Sequence, residues 1–234
     1  MPMTMKKLGR KGRFANQLFQ YAYLRIVSKG DYGCAPWIGQ VLFGHQDPAP
    51  GEGRDISGRF PKHSSFYAPH KEFFRSLFQP VEWIRKLLEI DRQGRTLIGL
   101  HLRRGDYGTF KRQSARWCFV APAEWYVQWL NANLDRFDNP AVIVVSDERE
   151  KVIDDFSRFP VLTHLMNVMD KDFYEDFYAL TQCDILLISN STFGFAASML
   201  NERATEFYRP RLSEKRLIPY DPWNAPLVFT DEKY

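Results

Sequence analysis

Two adjacent arginines follow an apolar stretch at residues 98–102. The stretch ends in Arg103 and Arg104, and Asp106 follows after one glycine. Such apolar runs form buried strands of parallel sheets, which bind ligands at the carboxyl ends of their strands. Strand alternation places His101 and Arg103 on one face and Arg104 on the other. Because guanidinium groups bind phosphate oxygens bidentately, the pattern predicts an anion site. The alternative is an arginine pair bridged to acidic side chains.

A polar turn follows a second apolar stretch, at residues 184–188. The turn consists of Ser189, Asn190, Ser191 and Thr192. A helical pattern comes next, and one interpretation is that these residues serve only as its N-cap. The other interpretation is an anion site, because hydroxyls and the N–H groups of a helix start also bind anions. Because neighbouring parallel strands end at one edge of a sheet, we expect this turn to lie beside Arg103.

A third segment lies near the N-terminus, where Gly12 precedes a helical pattern over residues 14–28. Asn16 and Gln17 lie in the first turn of this pattern. An amphipathic helix accounts for the spacing of its apolar residues. The functional alternative is a helix start that approaches a phosphate held by another part of the chain.

Apolar strands alternate with helices in the second half of the chain, which is typical of βαβ units and a parallel sheet. The predicted strands are 96–102, 141–146, 161–165, 184–189 and 204–208. The predicted helices are 122–137, 148–156, 172–182 and 192–201. In the first half, turn-forming residues dominate 30–70, and one more helix is expected over about 80–90. The sequence therefore predicts an α/β fold with a domain boundary at 93–95.

Composition fits a globular protein with an anionic ligand. The 234 residues carry a net charge of +4, and 15% of them are aromatic. This charge is too weak and too evenly mixed with acids to favour a nucleic-acid partner. The widely separated Cys34, Cys118 and Cys183 argue against a disulfide framework, and neither a zinc motif nor an apolar membrane span occurs. We expect a cytoplasmic protein without a metal, and interpret Asp170 and Asp172 as helix-capping acids.

The three segments resemble, in the same order, motifs of the α-1,2-fucosyltransferases of glycosyltransferase family 11 and the wider group that uses GDP-fucose. Residues 101–107 are similar to H-x-R-R-G-D-Y, 189–193 resemble S-N-S-S/T-F, and 12–22 resemble G-x-L/F-G-N-Q-x-F-Q-Y-A. The resemblance implies a GT-B-like architecture of two Rossmann-like lobes. A shortened lobe over 1–95 would face the acceptor, and 96–234 would bind the nucleotide sugar.

The activity that this resemblance implies is inverting transfer of a sugar, L-fucose from GDP-fucose, to a glycan hydroxyl without a metal. Arg103 would hold the donor pyrophosphate and stabilise the leaving group. Asp106 is the candidate base for the acceptor hydroxyl, and a salt bridge to Arg104 is its alternative role. The other implied donor-binding residues are His101, Arg104, Asp147, Ser189, Asn190, Ser191, Thr192 and Asn16.

The sequence also departs from the family pattern. Ala15 replaces a glycine, and residues 194–196 read Gly-Phe-Ala where the family has S-W-W. Together with the short first lobe, these changes leave two alternatives open. One is an inverting GT-B transferase with another nucleotide sugar, such as a xylosyl or rhamnosyl donor. The other is a non-catalytic relative.

Overall fold

The computed structural model describes residues 1–109, 119–162 and 172–230, with the side chains of Thr109 and Asp172 left out. Its contacts divide the chain into two compact units. The N-terminal unit comprises Met1–Leu87 and Trp223–Ala225. The C-terminal unit comprises Leu88–Pro222 and Pro226–Tyr234.

The N-terminal unit contains a small parallel sheet that the sequence did not predict. Its strands are β1 (Met3–Met5), β2 (Tyr32–Cys34) and β3 (Arg54–Asp55), in the order β2-β1-β3. Strands of two or three residues are too short to show an alternation of apolar and polar positions, so this part of the sequence looks irregular.

Helices cover the rest of the regular structure described in the N-terminal unit. The predicted helix over 14–28 is confirmed as α1 (Phe14–Ser28), and α2 (Gly39–Leu42) and α3 (Lys71–Ser76) follow. The helix expected over about 80–90 is shorter, and forms α4 (Glu82–Leu87). Aromatic rings dominate the core of this unit, where Phe19 packs on Tyr67 and Phe74.

The C-terminal unit is built on a five-stranded sheet. Its strands are β4 (Thr96–Leu102), β5 (Pro140–Ser146), β6 (Ile185–Leu187), β7 (Glu206–Arg211) and β8 (Arg216–Pro219), in the order β5-β4-β6-β7-β8. The first four run parallel, and β8 is antiparallel to β7 and was not predicted. The prediction of β4 is confirmed without change. Of the strand expected over 161–165, Val161 forms an isolated bridge to Val142, and 163–165 lie outside the described residues.

The helices of the C-terminal unit are α5 (Gly105–Thr109), α6 (Ala123–Asn133), α7 (Asp172–Thr181) and α8 (Thr192–Leu200). The helix predicted over 148–156 is instead two 3-10 turns, Arg149–Lys151 and Ile153–Phe156. One face of the sheet buries a core with α6, in which Ile98, Val142 and Tyr126 are inaccessible to solvent. Burial of such side chains stabilises the fold by about 1.5–3 kcal/mol each.

The α/β class with mainly parallel sheets is therefore confirmed. Within the residues that the structure describes, no helix is both long and apolar enough to cross a membrane.

Candidate active site

The functional segments of the C-terminal unit meet at one edge of its sheet. Strands β4 and β6 pair in parallel, with Leu100 opposite Leu187, and β5 pairs on the other side, with Leu102 opposite Ser146. The residues that follow these strands therefore emerge together. They border a pocket of about 440 Å³, within the range of small-ligand sites. Its lining residues are His101, Arg103, Val145, Ser146, Asp147, Arg149, Glu150, Phe173, Glu175, Asp176 and Phe193.

Arg103 is held by two carboxylates. Its Nη2 lies 2.5 Å from Asp106 Oδ1, and its Nη1 lies 3.0 Å from Asp147 Oδ2. The arginine side chain is 16% exposed. A Cβ on Gly105, whose φ is +26°, would lie 2.4 Å from Asp147 Oδ2. Glycine at this position therefore lets the Asp147 carboxylate approach the loop after β4.

These contacts correct the salt bridge expected for Asp106, and its role as a base stays a prediction. Asp106 does form a salt bridge, but its partner is Arg103, and the expected partner Arg104 donates elsewhere. A guanidinium has five N–H donors. If each of the two contacts uses one of these five donors, three remain for a ligand in the pocket that Arg103 lines.

Arg104 does not line the pocket, as strand alternation predicted. It keeps this orientation even though β4 ends at Leu102, two residues before it. Its Nη1 donates to the carbonyl oxygens of Ala121, at 2.8 Å, and of Arg103, at 3.3 Å. The alternative of a salt bridge between Arg104 and Asp106 is therefore wrong for the chain as described. Its backbone N–H instead donates to Asp147 Oδ1 at 2.8 Å.

His101, on β4, is buried against the turn that follows β6. Its Nδ1 lies 3.1 Å from Ser189 Oγ, and its ring lies 5.2 Å from that of Phe193. Burial, together with the Arg104 charge, lowers the pKa of His101 to about 3, so the imidazole is neutral at physiological pH. A Cβ on Gly194 would lie 2.6 Å from His101 Nδ1. The glycine at this departure from the family pattern therefore makes room for the imidazole.

The polar turn after β6 begins α8. Ser191 is its N-cap and accepts a hydrogen bond from the Phe193 N–H at 3.3 Å. Ser189 and Asn190 are almost fully buried, at 1% and 0% exposure, and Thr192 is half-buried. The Asn190 amide binds the backbone of Phe229 and the Arg209 side chain. The Asn190 side chain therefore makes contacts within the protein, and its predicted contact with the donor stays a prediction.

Acidic and aromatic residues of α7 form another wall of the pocket. Phe173, Glu175 and Asp176 line it, and Glu175 is only 4% exposed. Phe193 faces the pocket from α8. The sequence interpretation missed these residues, because an ordinary amphipathic helix explains residues 172–182 equally well.

In the N-terminal unit, Asn16 is half-buried in the first turn of α1. The glutamines that follow it fix the preceding loop. Gln17 Nε2 donates to the Gly12 carbonyl at 2.9 Å, and Gln20 Nε2 donates to the Lys11 carbonyl at 2.8 Å. The predicted phosphate contact of Asn16 stays a prediction.

The interpretation of Asp170 and Asp172 as helix-capping acids stays a prediction, because Asp170 and the Asp172 side chain lie outside the described residues. Elsewhere in the described chain, no group of three or more His, Cys, Asp or Glu side chains could hold a metal ion.

Comparison with known proteins identifies the family of the chain. The model of the family "Glycosyl transferase family 11" matches residues 56–210. Galactoside alpha-(1,2)-fucosyltransferase 1 from Leontocebus fuscicollis and that from Saimiri boliviensis boliviensis are each 30% identical over 163 residues. Each alignment covers 62% of this chain and 42% of the relative. The chain thus spans less than half the length of these curated relatives.

Solved structures with some similarity are also fucosyltransferases. NodZ alpha-1,6-fucosyltransferase soaked with GDP-fucose has 17% identity and a TM-score of 0.49, with 90% of this chain and 67% of that chain covered. POFUT1 in complex with GDP-fucose has 9% identity and a TM-score of 0.42, with 87% and 71% covered.

Proposed function

Because the chain belongs to glycosyl transferase family 11, we propose that it transfers L-fucose from GDP-fucose to a glycan hydroxyl, with inversion at the sugar carbon. The observation that carries the proposal is the position of Arg103 in the pocket wall, at the sheet edge where α8 also begins. The relatives' name, galactoside alpha-(1,2)-fucosyltransferase, supports fucose as the sugar and a galactoside as the acceptor.

The phosphate end of the donor is assigned to Arg103 and the start of α8. Both supply positive charge: a formal charge on the arginine, and a partial charge from the N–H groups of a helix capped by Ser191. The two carboxylates beside Arg103 hold its planar fork in one orientation. A fork fixed in this way can bind two oxygens of one diphosphate without further ordering.

The base end of the donor is assigned to the wall formed by α7. Glu175 and Asp176 offer carboxylate oxygens, and Phe173 and Phe193 offer ring faces. Guanine carries adjacent N–H donors on its ring and exocyclic nitrogens, whereas uracil offers a single N–H and adenine only its amino group. An acidic pocket wall with aromatic neighbours therefore favours guanine among these bases.

The proposed chemistry is a single displacement. The acceptor oxygen forms a bond to the anomeric carbon while the bond from that carbon to the β-phosphate oxygen breaks, and its electron pair stays on the diphosphate. Arg103 stabilises this developing negative charge, an effect worth several kcal/mol in a closed site. Asp106, 2.5 Å from Arg103, takes the proton of the acceptor hydroxyl.

The remaining assignments are part of the same proposal. Residues 96–234 bind the donor, and residues 1–95 face the acceptor. Charge stabilisation by Arg103 makes a divalent metal unnecessary for leaving-group departure. The buried thiols of Cys34 and Cys183 are free, which fits action in the cytoplasm.

The test is a transfer assay with a β-galactoside acceptor and three donors, which are GDP-fucose, UDP-xylose and dTDP-rhamnose. We expect turnover with GDP-fucose, and NMR of the product to show the inverted anomer. Faster transfer from another donor would contradict the assignment of fucose. If none of the donors were turned over while GDP still bound, the chain would be a non-catalytic relative.

A further inference from the structure

Asn190 lies in the turn before α8, but its side chain faces the C-terminal part of the chain. Its Oδ1 accepts a hydrogen bond from the Phe229 N–H at 2.8 Å, and its Nδ2 donates to the Phe229 carbonyl at 3.1 Å. The amide thus pairs with the backbone of one residue in both directions, as a neighbouring strand would. Asn190 is 0% exposed, whereas Phe229 is half-buried.

Arg209 on β7 strengthens the same connection. Its Nη2 donates to Asn190 Oδ1 at 3.1 Å, and its Nη1 donates to the Pro226 carbonyl at 2.6 Å. Its guanidinium carbon lies 3.8 Å from the centre of the Phe229 ring. An arginine that is 1% exposed needs such partners, because a buried charge without them is costly. Residues 226–229, which we name the C-terminal strap, are therefore attached through both side chains.

The backbone of Asn190 connects the strap to the pocket. Tyr107 Oη donates to the Asn190 carbonyl at 3.3 Å, and the Tyr107 ring lies 5.4 Å from the Arg103 guanidinium carbon. Ser189, on one side of Asn190, contacts His101, and Ser191, on the other side, caps α8. A shift of Asn190 would therefore move the groups assigned to the diphosphate.

We propose that Asn190 is a positioning residue through which the C-terminal strap fixes the turn before α8. The strap holds the turn in the shape that lets Ser191 cap the helix and that sets the helix start beside Arg103. The effect of Asn190 on binding of the donor diphosphate rests on the proposed function. Its effect on the shape of the turn does not depend on that function.

Hydrogen exchange of the ligand-free protein tests the coupling directly. Phe229→Pro removes the N–H that Asn190 accepts, and Phe229→Ala is the matched control that loses the ring but keeps this N–H. We expect the amides of residues 190–195 to exchange about two- to tenfold faster in Phe229→Pro than in Phe229→Ala, as loss of one hydrogen bond implies. Equal exchange in the two variants would overturn the proposal.

A second variant keeps the test decisive if Phe229→Pro does not fold. Asn190→Asp retains the acceptor for Phe229 and Arg209 but replaces the Nδ2 donor by an oxygen. We expect faster exchange of the same amides, with amides of β4 unchanged. Exchange that rises equally in both segments would mean general destabilisation and would contradict a specific role.

The affinities for GDP and guanosine distinguish a positioning role from a purely structural one. Relative to Phe229→Ala, Phe229→Pro should bind GDP about two- to tenfold more weakly and guanosine within twofold. Equal losses for both ligands would overturn the positioning of the diphosphate site. If the wild-type chain did not bind GDP, the proposed function would fail, and the exchange experiment would still decide whether the strap fixes the turn.

Discussion

Replacing Arg103 by lysine separates the geometry of this side chain from its charge. Arginine contacts Asp106 through one Nη and Asp147 through the other. A lysine keeps the positive charge but has one nitrogen, so it cannot span both carboxylates and also present a planar fork to a diphosphate. We therefore expect Arg103→Lys to lose most transfer activity while keeping its fold.

The magnitude follows from the lost hydrogen bonds. A charge-assisted hydrogen bond contributes about 1.5–3 kcal/mol, which corresponds to roughly a tenfold to 150-fold change in rate. Since the side chain is only 16% exposed, water replaces the missing donors poorly, and the upper part of this range applies. Thermal unfolding should change little by comparison, because the lysine retains one of the two ion pairs.

Arg104→Lys is the matched control. Arg104 donates to the carbonyl oxygen of Ala121 and lies outside the pocket lining, so we expect a smaller loss of transfer and a loss of stability of about 1 kcal/mol. The assays are steady-state turnover with GDP-fucose and thermal unfolding of both variants. Near-full activity of Arg103→Lys, or a greater loss of transfer in Arg104→Lys, would contradict the role of Arg103 in holding the diphosphate.

Three other predictions follow from the same geometry. Asp106→Asn should lower turnover about 100-fold or more, whereas the GDP affinity should stay equal or rise because a negative charge near the diphosphate is removed. Steady-state kinetics measures the turnover and calorimetry the affinity. An equal loss of turnover and of GDP affinity would exclude the base role. Ser191→Ala should lower the free energy of unfolding by about 1 kcal/mol and weaken GDP more than guanosine, and an equal loss for both ligands would limit Ser191 to helix capping. Because the pKa of His101 is lower in the folded protein, the neutral imidazole contributes fully to stability above about pH 6.5, and this contribution is lost as the pH falls towards 3. Urea unfolding should therefore show that the free energy of unfolding falls by about 2 kcal/mol between pH 7.5 and pH 5 in the wild type but not in His101→Gln. The same pH dependence in both proteins would contradict this prediction.

Long apolar strands were the predictable part of the fold. Strand β4 has the predicted bounds, and β5 begins one residue earlier than expected. Six consecutive buried residues in each strand leave a clear signal in the sequence. The two- and three-residue strands β1 and β3 leave none, since their pairing depends on distant segments.

The candidate site was predictable where chemistry and strand ends coincide. Arg103 and the turn at Ser189 lie at one edge, as parallel pairing required. The partners of the polar groups were not predictable. The Asn190 side chain binds Phe229, which is 39 residues away in sequence. Such contacts depend on tertiary packing, which residue types and local spacing do not encode.

The most direct test of the central claim is a calorimetric titration of the wild-type protein with GDP, UDP, ADP and guanosine, with and without EDTA. We expect GDP to bind more tightly than UDP or ADP, guanosine to bind more weakly than GDP, and EDTA to leave the GDP affinity unchanged. Preference for UDP, equal affinity for GDP and guanosine, or loss of GDP binding in EDTA would contradict a metal-independent diphosphate site at Arg103 and the start of α8.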